Sequence, residues 1–191
     1  MKHVQPFHGM MPIMPTAIDD KGALDEASQR RVIEYCLENG AVAIGHFGYA
    51  SEFHKISDPQ RRRLIEVIVE AVDGRAPVFI GVAAPAVHMA LAYAREAEAL
   101  GADIIMATLP YIDVPDGRGA FAYYAALSDA ADLPIIVQDA PHSSPILTAE
   151  LLLSMYESIE HVCYIKAEGT DFVAKTAALI EGSDGTMPVI G

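Results

Sequence analysis

The chain has 191 residues, 52% hydrophobic and 20% charged, with 14 glycines and 12 prolines; this is a globular profile with ample core-forming residues, and one domain over 1–191 is expected. Its formal net charge of -13 argues against a nucleic-acid or anionic-membrane partner, because both need positive surface to replace counterions. No apolar run approaches the roughly 18 residues that span a bilayer, and the start M-K-H-V-Q-P-F-H is too polar and proline-interrupted for a signal-peptide core, so a soluble, cytoplasmic protein is expected. Cys36 and Cys163 have no motif spacing and are expected to pack as small apolar residues in a reducing compartment.

Met10 to Thr16, M-M-P-I-M-P-T, reads as a first short strand, followed by the polar turn I-D-D-K-G. Asp25 is placed to N-cap a helix that runs to Asn39, with Val32, Ile33, Cys36 and Leu37 on one stripe and Gly40 as its stop. Ala41 to Phe47 is a second strand. Ser57 opens the next helix: its spacing to Gln60 is that of a capping box, Pro59 suits a first turn, and Leu64, Ile65, Ile68 and Val72 are periodic. Pro77 to Val82 is a third strand, and an alanine-rich helix from Ala86 to Leu100 stops at Gly101. Ala102 to Ala107 is a fourth strand, Gly119 to Ala131 a helix, Leu133 to Gln138 a fifth strand and Thr148 to Ser158 a helix. Val162 to Lys166 gives a sixth strand, Asp171 to Ile180 a helix, and Met187 to Ile190 the opening of a seventh strand.

Strands recurring at roughly 25 to 35 residues with a helix between each pair signal βαβ units and a parallel sheet. Several are apolar on both faces, as a buried parallel sheet demands. An open doubly wound sheet usually carries a glycine fingerprint after its first strand, whereas P-T-A-I-D stands there. The expected fold is therefore an α/β (β/α)8 TIM barrel, of which the chain supplies about six βα units and the start of a seventh strand. A barrel of this kind takes about 250 residues, so this one is expected to be incomplete at its C-terminus.

The stretch H-V-C-Y-I-K-A-E-G-T-D places Lys166 at the end of a buried strand. The other lysines, Lys2, Lys21, Lys55 and Lys175, lie in polar stretches or on the expected surface of a helix. Desolvation disfavours an ammonium, and a neutral amine condenses with a ketone to a Schiff base whose iminium draws electrons from the neighbouring carbon. The alternative is a strand-end lysine whose stem packs on apolar surface while its head reaches water. In a barrel, chemistry gathers in the loops at the carboxyl ends of the strands. Here these read G-H-F-G-Y-A-S-E-F-H, T-L-P-Y, Q-D-A-P-H-S-S and K-A-E-G-T, rich in hydroxyls, amides and carboxylates.

From about Gly9 to Gly191 the chain resembles the dihydrodipicolinate synthase / N-acetylneuraminate lyase family of Schiff-base barrels. The marks are Lys166 in Y-I-K-A-E-G-T-D, close to the family's G-I-K-D-x-x-G-D, and the G-x-x-x-E at Gly48 to Glu52 followed by I-S-D-P-Q-R-R. A-E-A-L-G-A-D before the fourth strand, L-P-Y, and D-L-P-I-I-V before the fifth loop complete the series. The resemblance implies a lyase that forms its Schiff base on Lys166, needs no cofactor or metal, takes a small keto acid and assembles as a homo-oligomer, dimer or tetramer.

The departures narrow what the resemblance implies. The family's G-T-T-G-E loop, which holds the keto-acid carboxylate, is here G-Y-A-S-E; Tyr49 and Ala50 replace both threonines, leaving Ser51 and backbone N–H groups for the carboxylate. The proton-shuttling tyrosine of Y-N-x-P is Gln138, the second tyrosine of P-Y-Y is Ile112, and the synthase arginine for the dicarboxylate partner aligns with Ser143. A lysine-biosynthesis synthase is not expected. The combination of S-E with V-Q-D-A-P is similar to the branch that dehydrates 2-keto-3-deoxy sugar acids. Gln138 cannot accept and release protons at neutral pH, so Glu168 and Asp139, with Glu52 behind them, are the acid or base candidates; each has a structural reading too, as a cap or turn-former. Tyr111 lines the site or packs. A pyruvate-dependent aldolase of the same family and a non-catalytic or truncated keto-acid-binding barrel stand as alternatives. His46, His54 and His142 raise a metal-dependent aldolase as a further rival, but no H-x-H or H-x-x-x-H pair supplies ligand spacing.

Overall fold

The computed structural model describes residues 7–141 and 145–191. Its strands are hydrogen-bonded in the order β1-β2-β3-β4-β5-β6, namely β1 (Ile44–His46), β2 (Val78–Gly81), β3 (Ile104–Ala107), β4 (Ile135–Asp139), β5 (Val162–Ala167) and β6 (Val189–Ile190). The helices between them are α2 (Asp58–Val72), α3 (Val87–Ala99), α4 (Gly117–Ala130), α5 (Ala149–Ser158) and α6 (Phe172–Gly182), with α1 (Glu26–Glu38) ahead of β1. A sheet whose order follows the sequence has no switch point of the doubly wound kind, so the architecture is that of a partial (β/α)8 barrel. No helix of the described residues is long and apolar enough to cross a membrane.

The chain forms two compact units. One comprises Phe7–Gly81 with Glu96–Ile104. In it Asp25 caps α1 by accepting the Ser28 N–H at 2.9 Å, and Gly40 follows at φ +85°, a left-handed turn that costs a side chain most and glycine least. The Ser57–Gln60 capping box forms, with the Ser57 N–H donating to Gln60 Oε1 at 3.1 Å. The periodic residues Leu64, Ile65, Ile68 and Val72 are all buried.

The expected first strand over Met10 to Thr16 is corrected to a single parallel bridge, Ile13 to Gly45. The segment does run beside β1: Val42 N–H donates to Met10 O, Gly45 N–H to Pro12 O, and Met14 N–H to Gly45 O, at 2.9, 3.0 and 2.9 Å. Pro12 and Pro15 have no N–H to give, so the ladder cannot continue from this side.

The other unit comprises Val82–Arg95 with Ile105–Gly191. Its pairings are all parallel, with Ile105 opposite Ile135, Ile165 opposite Val189 and Gln138 opposite Lys166. β4 is buried throughout, and β5 is buried everywhere except Lys166, which is part-exposed. Ile136, Val137, Leu127, Leu152, Met155, Tyr164 and Ile165 form the centre of this core, and the Tyr124 hydroxyl donates to Ala107 O at 2.8 Å. Apolar side chains fill the strand interiors, which restricts polar ones to the strands' carboxyl ends.

Candidate active site

Successive side chains of a strand point to opposite faces. Gln138 and Lys166 are register partners on β4 and β5, so they share a face, and Glu168, two residues beyond the lysine, returns to that same face. The Lys166 side chain is 14% exposed and its ammonium pairs with Glu168 Oε1. Glu168 Oε2 accepts from Gln138 Nε2 at 2.7 Å. The carboxylate is thus held between an amine and an amide, and it keeps 34% of its surface open to solvent. Its backbone is fixed as well, since the Glu168 N–H donates to Asp139 O at 3.2 Å. Glu168 does not cap α6, whose N-cap is Asp171.

Asp139 lies one residue on from Gln138 and faces the opposite way. Its side chain is 0% exposed and accepts from Lys175 Nζ of α6 at 2.7 Å. Lys175 was expected on the hydrated surface of its helix; its side chain is in fact 10% exposed. A fully buried carboxylate requires a cation or several donors, and α6 packs where it can supply one. The sequence carries a signal for it, because Lys175 is the one charge between Asp171 and Glu181 in an otherwise apolar helix. Beside this pair a cleft of about 480 Å³ opens at the amino ends of α5 and α6, lined by Thr148, Glu150, Asp171 and Lys175 among others. It belongs to the Asp139 side and is not lined by Lys166, Gln138 or Glu168.

Tyr111, in the loop after β3, is half-buried, and burial raises the pKa of its phenol. Its neighbour Ile112 is exposed. Ser143 and His142 lie outside the described residues.

In the first unit, the loop after β1 turns at Phe47, whose φ is +62°, and continues as a 3-10 turn over Tyr49–Ser51. That turn uses the N–H groups of Ser51 and Glu52, which donate to Gly48 O and Tyr49 O at 3.0 Å each. Ser51 is buried: its hydroxyl donates to Met14 O at 2.6 Å, and its carbonyl accepts from Thr16 Oγ1 at 2.6 Å. A hydroxyl has one proton to give, so in this arrangement Ser51 presents an acceptor rather than a donor. The Tyr49 ring is partly exposed and packs edge-on against Phe53. Glu52 is exposed and pairs with Lys55.

His46 is fully buried, with Nδ1 accepting from the Phe47 N–H at 2.7 Å. Burial above all, with the Arg61 cation as a smaller cause and the Pro15 carbonyl opposing, pushes its pKa down to about 3. It is therefore a neutral core imidazole. His54 is exposed in its own loop. Among the described residues no three His, Cys, Asp or Glu side chains gather as a metal would require.

Sequential parallel strands, apolar within and polar at their carboxyl ends, with a part-buried lysine between a carboxylate and an amide, define a βα-barrel protein with an amine site. Residues 6–186 match the dihydrodipicolinate synthetase family, and the chain belongs to that family. It is 36% identical over 176 residues to L-2-keto-3-deoxyarabonate dehydratase of Azospirillum brasilense, covering 90% of this chain and 57% of that protein. It is 30% identical over 186 residues to 4-hydroxy-tetrahydrodipicolinate synthase of Salinibacter ruber, covering 97% and 62%. Among solved structures, the pyruvate complex of dihydrodipicolinate synthase from Acinetobacter baumannii superposes with a TM-score of 0.86 at 26% identity, over 93% of this chain and 60% of that one. The chain thus spans less than two thirds of the length of each of these relatives.

Proposed function

We propose that the protein is a Schiff-base lyase of small 2-keto acids, acting through Lys166, and that its reaction is the dehydration of a 2-keto-3-deoxy sugar acid. The observation that carries this reading is the chain of contacts Gln138 to Glu168 to Lys166 on one sheet face. Glu168 is placed to take a proton from the Lys166 ammonium, freeing the amine to add to the C2 carbonyl. Loss of water then gives the iminium, with C2 double-bonded to Nζ. The iminium acidifies the C3 proton, a base removes it, and the resulting enamine expels the C4 hydroxyl, which leaves as water on receiving a proton. Glu168 is the group that can carry both protons, because Gln138 has no titratable proton at neutral pH. The role of Gln138 is to orient the carboxylate by a charge-assisted hydrogen bond. Retro-aldol cleavage would need a base on the C4 hydroxyl, where this chain has an amide. The substrate carboxylate is assigned to the loop at Tyr49, Ala50 and Ser51, chiefly to backbone N–H groups, since the Ser51 proton is already engaged.

The test is intact mass after incubation with pyruvate, and separately with 2-keto-3-deoxyarabonate, under borohydride. An adduct with either ketone that disappears in Lys166→Ala supports the amine chemistry, and release of a dehydrated keto-aldehyde supports the elimination. Release of pyruvate from the sugar acid would favour an aldolase instead. A folded protein that forms no adduct with either ketone would overturn the reading.

A further inference from the structure

Phe47 carries an aromatic side chain at φ +62°, a left-handed conformation that bulky residues rarely adopt and that persists only where the surroundings over-determine it. Three contacts hold it. Its N–H donates to His46 Nδ1 at 2.7 Å. Its carbonyl lies against Gly81 so closely that a Cβ there would stand 2.2 Å from the oxygen. Its ring lies under the Arg61 guanidinium, with Cζ 4.2 Å from the ring centroid.

Arg61 joins the last two. The same guanidinium that covers the Phe47 ring donates through Nη2 to Gly81 O at 2.8 Å, and its Nε stands 4.0 Å from Glu96 Oε2. The side chain is 5% exposed. One planar cation therefore grips the residue that follows β1 and the last residue of β2, while a carboxylate balances its charge. A guanidinium can stack and donate at once; an ammonium has no plane to stack.

We propose that Arg61 is a positioning residue for the loop Gly48 to Ser51: by clamping Phe47 in its left-handed turn it fixes the course of the loop to which the substrate carboxylate is assigned. This rests on the reading of that loop as the carboxylate holder. Released to a negative φ, Phe47 would send the chain after it in another direction, and the 3-10 turn would lose its orientation. Arg61 touches no reacting atom, so its loss weakens capture of the keto acid without altering the amine.

The experiment uses the full chain with Arg61→Met, which keeps the stem, and Arg61→Lys, which keeps the charge. Two quantities are read: borohydride-trapped pyruvate adduct against pyruvate concentration, and backbone hydrogen exchange over residues 47–52 compared with α2. The clamp predicts that Arg61→Met raises half-saturating pyruvate by about tenfold or more, leaves trapping at saturation within about twofold, and speeds exchange at 47–52 while α2 stays protected. Arg61→Lys should fall between the two. If Arg61→Met does not fold, Arg61→Lys decides by the same readings. Unchanged exchange at 47–52 in a folded variant, or exchange that rises equally throughout α2, overturns the clamp. A wild-type chain that traps no pyruvate counts against the proposed Schiff-base function instead, and exchange alone then decides whether Arg61 fixes the loop.

Discussion

Lys175 of α6 reaches Asp139 at the end of β4, Nζ to Oδ2, at 2.7 Å, and both side chains are almost sealed from water. The pair sits back to back with Gln138 and Lys166, because neighbouring residues of a strand face opposite ways. Breaking a buried pair from one side strands a charge, at a cost of about 3 to 5 kcal/mol. Lys175→Met is therefore expected to lower stability by roughly 3 kcal/mol, read as a shift in the urea midpoint. Adding Asp139→Asn should recover much of the loss, since no unbalanced charge then remains. A Lys175→Met protein as stable as the parent would show that the pair contributes nothing.

Glu168 should separate adduct formation from turnover. Glu168→Gln keeps the shape of the group and removes its proton chemistry, so the borohydride adduct with pyruvate should still form, more slowly. Dehydration of the sugar acid should fall by about 100 to 10,000-fold. Gln138→Ala should cost less, about tenfold, because only the orienting hydrogen bond of 2.7 Å is lost. Steady-state product release checks both.

His46 predicts a pH dependence of stability. Its folded pKa is depressed to about 3 from the ordinary 6.5, so between those values the unfolded chain binds the proton and the folded chain does not. Stability from this group is fully present above the unfolded pKa and is lost as pH falls towards the folded one, with a slope of at most about 1.4 kcal/mol per pH unit. His46→Asn keeps an acceptor beside the Phe47 N–H and cannot titrate. Urea midpoints measured from pH 7 down to 4 should show a shallower decline in that variant than in the parent.

Asp25 tests the first helix. Its carboxylate accepts the Ser28 N–H at 2.9 Å at the start of α1, and Asp25→Ala should cost about 1 kcal/mol. Asp25→Ser should restore most of this by supplying another oxygen. Equal denaturant midpoints for Asp25→Ala and the parent would remove the cap from the account.

The order of the strands from β1 onward and of the helices, the caps at Asp25 and Ser57, and the placing of Lys166 at a strand end were all legible in the sequence. Each depends on residues a few positions apart, which periodicity and capping chemistry report directly. The family was legible for the same reason, since its marks are short runs at strand ends. The bridge at Ile13 in place of a full first strand was legible in principle too, because Pro12 and Pro15 announce the missing donors.

Tertiary structure alone decided which side chains meet. Ser51 gives its proton to Met14, 37 residues earlier, and Asp139 pairs with Lys175, 36 residues later. The alternation of a strand says that Gln138 and Asp139 face apart, but not which of them meets a helix and which meets Lys166. That choice is made by the packing of α6 against the sheet and by the Gln138–Lys166 register. The left-handed turn at Phe47 was hidden for a similar reason: no local preference of phenylalanine favours it, and the groups that surround it, His46, Gly81 and Arg61, meet it in the folded chain.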